Sequence, residues 1–119
     1  MSHLWKRTLI ALTLVTLTGC GLSELPDGKE GYVGSWLGET TILFITHDAG
    51  VDYTRGDSNS STHISGQIVR FEDDDFVVYA VMNFSFDVTE PPHVVEITDG
   101  NDSVAKRHMT VNGEDVTAR

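Results

Sequence analysis

From Phe76 to Val88 the chain alternates without a break: Phe76, Val78, Ala80, Met82, Phe84, Phe86 and Val88 are apolar and occupy every second position. A period of two puts all of them on one side of an extended backbone. A helix cannot bury that pattern, so this part of the chain is committed to a β-sheet with one covered face. At about 3.3 Å per residue a single strand of this length would span more than about 40 Å, beyond the usual range. A bend or break is therefore expected near Asn83, where the opposite face changes from Val77, Tyr79 and Val81 to Asn83, Ser85 and Asp87.

The remainder of residues 32–119 reads the same way, as short β-branched and aromatic runs between clusters of Gly, Asp, Asn and Ser, the signature of an all-β domain. Strands are predicted over Tyr32–Leu37, Thr40–His47, Val51–Arg55 and Thr62–Phe71, the last bent at Gly66. Ile42-Leu43-Phe44-Ile45 suggests a strand covered on both faces. Turns are expected at Asp48-Ala49-Gly50, with Gly50 taking a positive φ, and at Glu72–Asp75 and Asp99–Asp102. Asn112-Gly113 is the strongest hairpin signal, a type I′ turn. Pro91-Pro92 marks a sheet edge or crossover, because two successive prolines offer no backbone donor. Seven or eight antiparallel strands joined by short turns most easily hide their edges by closing into a small up-and-down β-barrel. A strongly curved open meander or a sandwich is the alternative.

The first 19 residues have a different character: Lys6 and Arg7 precede an apolar stretch, Thr8 to Leu17, and small Gly19 follows. That is the layout of a secretory signal. The apolar stretch is about half the roughly 20 residues that a membrane span requires, so it is read as a removable signal peptide, residues 1–19. It ends in Leu17-Thr18-Gly19-Cys20, which resembles the lipobox of bacterial lipoproteins at all four positions. The resemblance implies a diacylglyceryl group on the Cys20 thiol, cleavage before Cys20 and acylation (palmitate) of the freed amine. With two or more chains buried at about 0.8 kcal/mol per methylene, release becomes negligible. In a cell with two membranes Gly21, where an Asp would retain such a protein in the inner membrane, implies sorting to the outer membrane, periplasmic face; in a Gram-positive host the same lipobox implies the outer face of the plasma membrane. Residues 20–31 are then the lipidated cysteine and a tether of roughly 15 to 20 Å, and 32–119 the β domain.

Cys20 is the only cysteine, so the domain carries no disulfide. Loss of Lys6 and Arg7 takes the formal net charge from -10 to -12, which argues against nucleic-acid binding and against adhesion to anionic lipid by charge. The expected membrane attachment is the lipid.

Gly34-Ser35-Trp36 at the start of an up-and-down β pattern resembles the Gly-x-Trp opening of lipocalin-like barrels, and implies a tryptophan plugging the closed end. Residues 31–119 more broadly resemble small, uncharacterised proteobacterial lipoproteins that share Gly-Tyr-x-Gly-x-Trp (Gly31–Trp36), Phe-x-Val-x-x-Pro-Pro-His (Phe86–His93) and a closing Met-Thr-Val-Asn-Gly hairpin (Met109–Gly113). That resemblance implies an address and a fold and no activity.

Chemistry is sparse. His47, His63, His93 and His108 lack ligand spacing such as His-x-x-x-His, and Glu72–Asp75 lacks the alternation and glycine of a calcium loop, as does Asp57-Ser58-Asn59. No metal and no cofactor besides the lipid on Cys20 is expected. No Gly-x-Ser-x-Gly elbow occurs, and the reading is non-enzymatic. Trp36, Phe44, Tyr53, Phe84 and Phe86 are the candidates for a core or an apolar pocket, with Phe76 beside them. The expected role is a lipid-anchored envelope interaction or assembly module with a protein partner, the alternative a small apolar-ligand binder of lipocalin type. An interior cavity above about 300 Å³ would favour the ligand binder, a filled core with exposed apolar patches the module.

Overall fold

The computed structural model describes residues 21–100 and 102–119, apart from the side chains of Ile97, Asp99 and Asp102. They form one antiparallel sheet of nine strands: β1 Gly34–Leu37, β2 Thr41–Ile45, β3 Gly50–Gly56, β4 Ser61–Glu72, β5 Asp75–Ala80, β6 Met82–Phe86, β7 Val88–Asp99, β8 Asp102–Val111 and β9 Glu114–Ala118. The spatial order is β6-β5-β4-β3-β2-β1-β9-β8-β7, and the sheet curls strongly into a half-barrel. All-β architecture and the curved meander agree with the sequence. The strand count does not: nine replace seven or eight.

The extra strand comes from the alternating segment itself. Residues 76–88 are not one bent strand but a hairpin, with Phe76 paired to Phe86, Val78 to Phe84 and Ala80 to Met82 around the single residue Val81. Cross-strand partners share a face, and a turn centred on one residue pairs even positions with even. The two-residue period therefore survives the reversal and cannot reveal it. The seam does face the core at Phe76, Val78, Phe86 and Val88, all at most 4% exposed. Phe84 and Ala80 pack against its margin, and Met82, at the turn, is exposed.

A second expectation fails at β2. Thr41, Leu43 and Ile45 point inward, but Ile42 and Phe44 stand on the outer face at 45% and 46% exposure. The strand is covered on one side only, because no described residue lies over the outside of the half-barrel there. The β2–β3 turn also differs in detail. Ala49 carries the positive φ of 67°, while Gly50 already pairs with Gln67 in the sheet. Asn112 and Gly113, with φ of 49° and 81°, link Val111 to Glu114 as a type I′ turn does.

Aromatic rings fill the interior. Phe76 and Phe86 stack with centroids 4.9 Å apart, Tyr53 meets Phe86 edge-on at 4.9 Å, and Tyr32 meets Phe71 and Phe76 at 5.2 and 6.1 Å. Trp36 is fully buried. Its indole N–H donates to the Tyr32 carbonyl at 2.9 Å, and the Arg107 guanidinium lies 5.1 Å above its ring. The Arg107 head group also donates to the carbonyls of Gly31 and Val33, at 2.8 and 2.7 Å, so one cation closes this end of the core over the tryptophan. Gly66 cannot carry a side chain: a Cβ there would meet the Tyr79 carbonyl and stand 2.9 Å from the Ala80 Cβ.

β7 and β8 extend past the rest of the sheet. β8 pairs with β9 only from His108 to Val111, whereas β7 and β8 stay paired out to Asp99 and Asp102. Residues 93–99 and 102–107 thus form a two-stranded arm, and the molecule is elongated, 61 × 36 × 19 Å.

Candidate functional site

Residues 1–20, with the signal segment and the lipidation candidate Cys20, lie outside the described residues. Gly21 is described, and the segment behind it is not the free tether that its composition suggests. The Leu22 N–H donates to the Ile68 carbonyl at 2.9 Å, and the Leu25 N–H to the His47 carbonyl at 3.2 Å. The Gln67 side-chain amide returns a bond to the Leu22 carbonyl at 2.8 Å, and Leu22 and Leu25 pack on the core. Farther along, Lys29 donates to the Asp73 carbonyl at 2.6 Å. Burial of two leucines outweighs the turn-like composition of Leu22–Gly31.

Gly21 itself has a φ of 95°, and a Cβ would lie 3.1 Å from both the Gln67 Cγ and the Ile68 carbonyl oxygen. Tyr79 is the cross-strand partner of Gln67 and opens the β5–β6 turn, where Tyr79, Val81 and Met82 are 52%, 90% and 60% exposed. Leu22 bonds Ile68 on the side where Ile68 also bonds Ala49, so Gly21 lies on the β3 side of β4. Tyr79, paired with Gln67 on the other side, is about two strand spacings, or roughly 10 Å, away across β4.

Of the pocket candidates, Trp36, Tyr53 and Phe86 are core residues, Phe84 lies at the core's margin, and Phe44 is outside. Tyr53 and Phe86 meet ring to ring at 4.9 Å, and none of the five lines the open cleft of about 350 Å³ at the surface. That cleft is lined by Thr40, Arg55, Gly56, Asp57, Ser60 and Thr62. Glu114 sits at its back: burial raises its carboxyl pKa, but the Thr40 hydroxyl and amide, with Arg55 3.6 Å away, outweigh this and hold it below the ordinary value. Amide donors from Asn59 and Ser60 likewise lower Asp57. These groups hold their charged forms and serve the loops that bear them. Burial, with Asp74 and Asp75 nearby, pushes the Tyr32 phenol well above its usual range, consistent with a neutral hydroxyl donating to the Asp74 carbonyl at 2.7 Å.

A constellation with no linear signature lies on the outer face of β7, β8 and β9. Glu90, His108 and Asp115 each present a ligand atom, all within 4.8 Å of one another, and the His93 ring lies 5.4 Å from that of His108. The sequence separates them by up to 25 positions, so no spacing rule within one element finds them. Only the register of three strands does.

No helix among the described residues is long and apolar enough to cross a membrane. No protein-family model, curated protein or solved structure matches the chain.

Proposed function

We propose that the protein is a lipid-anchored envelope module of bacteria: Cys20 carries the lipid, the half-barrel lies against the outer membrane on its periplasmic side, and binding to a protein partner uses outer surfaces rather than an interior pocket. The observation that carries this reading is the adjacency at residue 21. A chain docked from Leu22 onward leaves only Gly21 between the fold and the lipidated cysteine, and the apolar turn Tyr79–Met82 lies across β4 from that exit. A lipid at position 20 would bring this uncharged turn to the bilayer surface, where exposed Val81 and Met82 gain an apolar neighbour. An acidic domain otherwise repelled from anionic lipid then touches the membrane by a neutral tip. The aromatic filling of the interior supports a non-enzymatic surface binder over a lipocalin-type carrier, and Phe44, Ile42, Val94 and Val104 are the exposed apolar side chains open to a partner.

Fractionation of cells tests the anchor. Cys20→Ser is expected to leave the membrane pellet and to lose palmitate labelling; a variant that still pellets at high salt would overturn the reading. For sorting, Gly21→Asp has to be compared with Gly21→Asn, since both side chains meet the same crowding and positive φ. Movement to inner-membrane fractions with Asp alone would support sorting by residue 21.

A further inference from the structure

We propose that Glu90, His93, His108 and Asp115 form a binding site for a divalent transition-metal ion of the zinc type at the base of the β7–β8 arm. Three features of the fold converge on it.

The first is the backbone. Residues three apart on a regular strand point to opposite faces, so Glu90 and His93 would normally be separated. β7 carries a register shift between them, with Glu90 opposite Thr110 and His93 opposite His108, so that Pro91-Pro92 contributes one residue more than β8 does. This bulge returns Glu90 and His93 to the same face. On that face β8 presents His108 and Thr110, and β9 presents Asp115, the partner of Thr110. Bulges re-aim side chains at functional positions in this way.

The second is the orientation of His93. Its Nδ1 is 2.9 Å from the Pro91 carbonyl oxygen, which can only accept. In the neutral ring the proton therefore sits on Nδ1, leaving the Nε2 lone pair bare. Metal-ligating histidines are held in this manner, the distal N–H donated to a backbone carbonyl.

The third is charge. The Thr110 hydroxyl lies 3.2 Å from Glu90 Oε1 and 2.8 Å from Asp115 Oδ1. With one proton it can donate to only one of them at a time. Among the described residues no Lys or Arg forms an ion pair with either carboxylate; the nearest basic group is His108 Nε2, 3.6 Å from Asp115 Oδ1. The two carboxylates, on β7 and β9 of an acidic domain, lack a cation that a metal ion would supply.

The donor set selects the ion. Imidazole nitrogens with carboxylate oxygens suit zinc and its transition-metal neighbours, whereas calcium takes six to eight oxygens. Bonds of 2.0–2.2 Å in a tetrahedral site place ligand atoms about 3.3 Å apart. For Glu90, His108 and Asp115 this is a contraction from within 4.8 Å; His93, whose ring centroid lies 5.4 Å from that of His108, would close in as the fourth ligand. A bound ion would join the arm to β9, a strand that β7 does not reach by hydrogen bonding.

Calorimetric titration of the full chain in non-ionic detergent with zinc chloride should give one site per chain. His108→Gln and Asp115→Asn should each weaken it at least tenfold, since even outer-shell partners of metal ligands are worth 10- to 100-fold. His63→Gln, which removes the separate contact of His63 with Asp52 at 2.8 Å, should leave it unchanged, and a hundredfold excess of calcium should not compete. Nitrogen-15 spectra of the histidine rings on the unmutated chain give a second readout, with zinc shifting His93 and His108 but not His47 or His63. The proposal is overturned by absence of saturable binding, by affinity that survives both ligand variants or falls with His63→Gln, by competition from calcium, or by ring shifts confined to His47 and His63.

Discussion

Val81 stands at the tip of the β5–β6 hairpin with a φ of 75° and 90% exposure. The branched Cβ makes that backbone unfavourable by about 1–3 kcal/mol, and the side chain buries nothing in the fold to offset it. Val81→Gly should therefore stabilise the domain by about 1 kcal/mol, seen as a higher urea midpoint at unchanged slope. A loss of stability would mean that the turn is not strained. If Val81 faces the bilayer, the same substitution should weaken vesicle association of the lipidated protein, so stability and attachment would move in opposite directions. The contrast at the phenylalanines is of another kind. Phe86→Ala removes a ring stacked between Phe76 and Tyr53 and should cost about 3–5 kcal/mol. Phe44→Ala, on the outer face, should cost under about 1 kcal/mol. Equal losses in urea melts would contradict the assignment of faces on β2.

At the scale of elements, hairpin geometry was legible wherever turn chemistry was explicit, as at Asn112-Gly113, and wherever a proline pair barred a central strand, as at Pro91-Pro92, which falls on the edge strand β7. It was hidden at Val81, because a one-residue turn leaves the apolar parity intact and valine is no turn signal. It was hidden also at Leu22–Gly31, where two leucines dock a segment whose Gly, Pro and charge content reads as linker. The proposed metal-ligating set was illegible for a third reason: its members share a face only through a bulge and two strand registers. Glu114 shows how elements are held once formed. At the start of β9 it accepts from the Thr40 amide at 2.8 Å, beside β2, and pairs with Arg55 of β3. Its carboxyl is held below the ordinary value in the fold, so its contribution is fully present above the unfolded value of about 4.3 and is lost as pH falls through the lower folded value. Glu114→Gln should therefore be less stable than the unmutated chain at pH 7, and the gap between their urea midpoints should narrow at pH 3. A gap independent of pH would mean that the ionised carboxylate is not what joins these strands.

For the whole molecule the decisive place is Asp87. The two edges of the sheet, β6 and β7, are consecutive in the chain with only this residue between them. The backbone runs on from one edge to the other instead of turning back, so no ladder links them and the barrel is joined by covalent continuity at a single point. Two side-chain acceptors and one backbone bond hold the junction: the Asp87 N–H donates to Asn112 Oδ1 at 2.9 Å, the Asn112 N–H returns a bond to the Asp87 carbonyl at 2.7 Å, and the Val88 N–H donates to Asp75 Oδ1 at 2.6 Å. Asn112 is thus both a turn residue, with φ 49°, and the partner that holds Asp87 at the junction. The two roles separate in Asn112→Gly, because glycine accepts the left-handed backbone but offers no acceptor to Asp87. The variant should lose about 1 kcal/mol, the net worth of one such hydrogen bond. Amide exchange should speed up at Asp87 and Val88, while Trp36 and Leu43, deep in the sheet, keep the protection set by global unfolding. A uniform acceleration at all four amides would mean that the hairpin rather than the junction had been weakened, and that the curl does not depend on this contact.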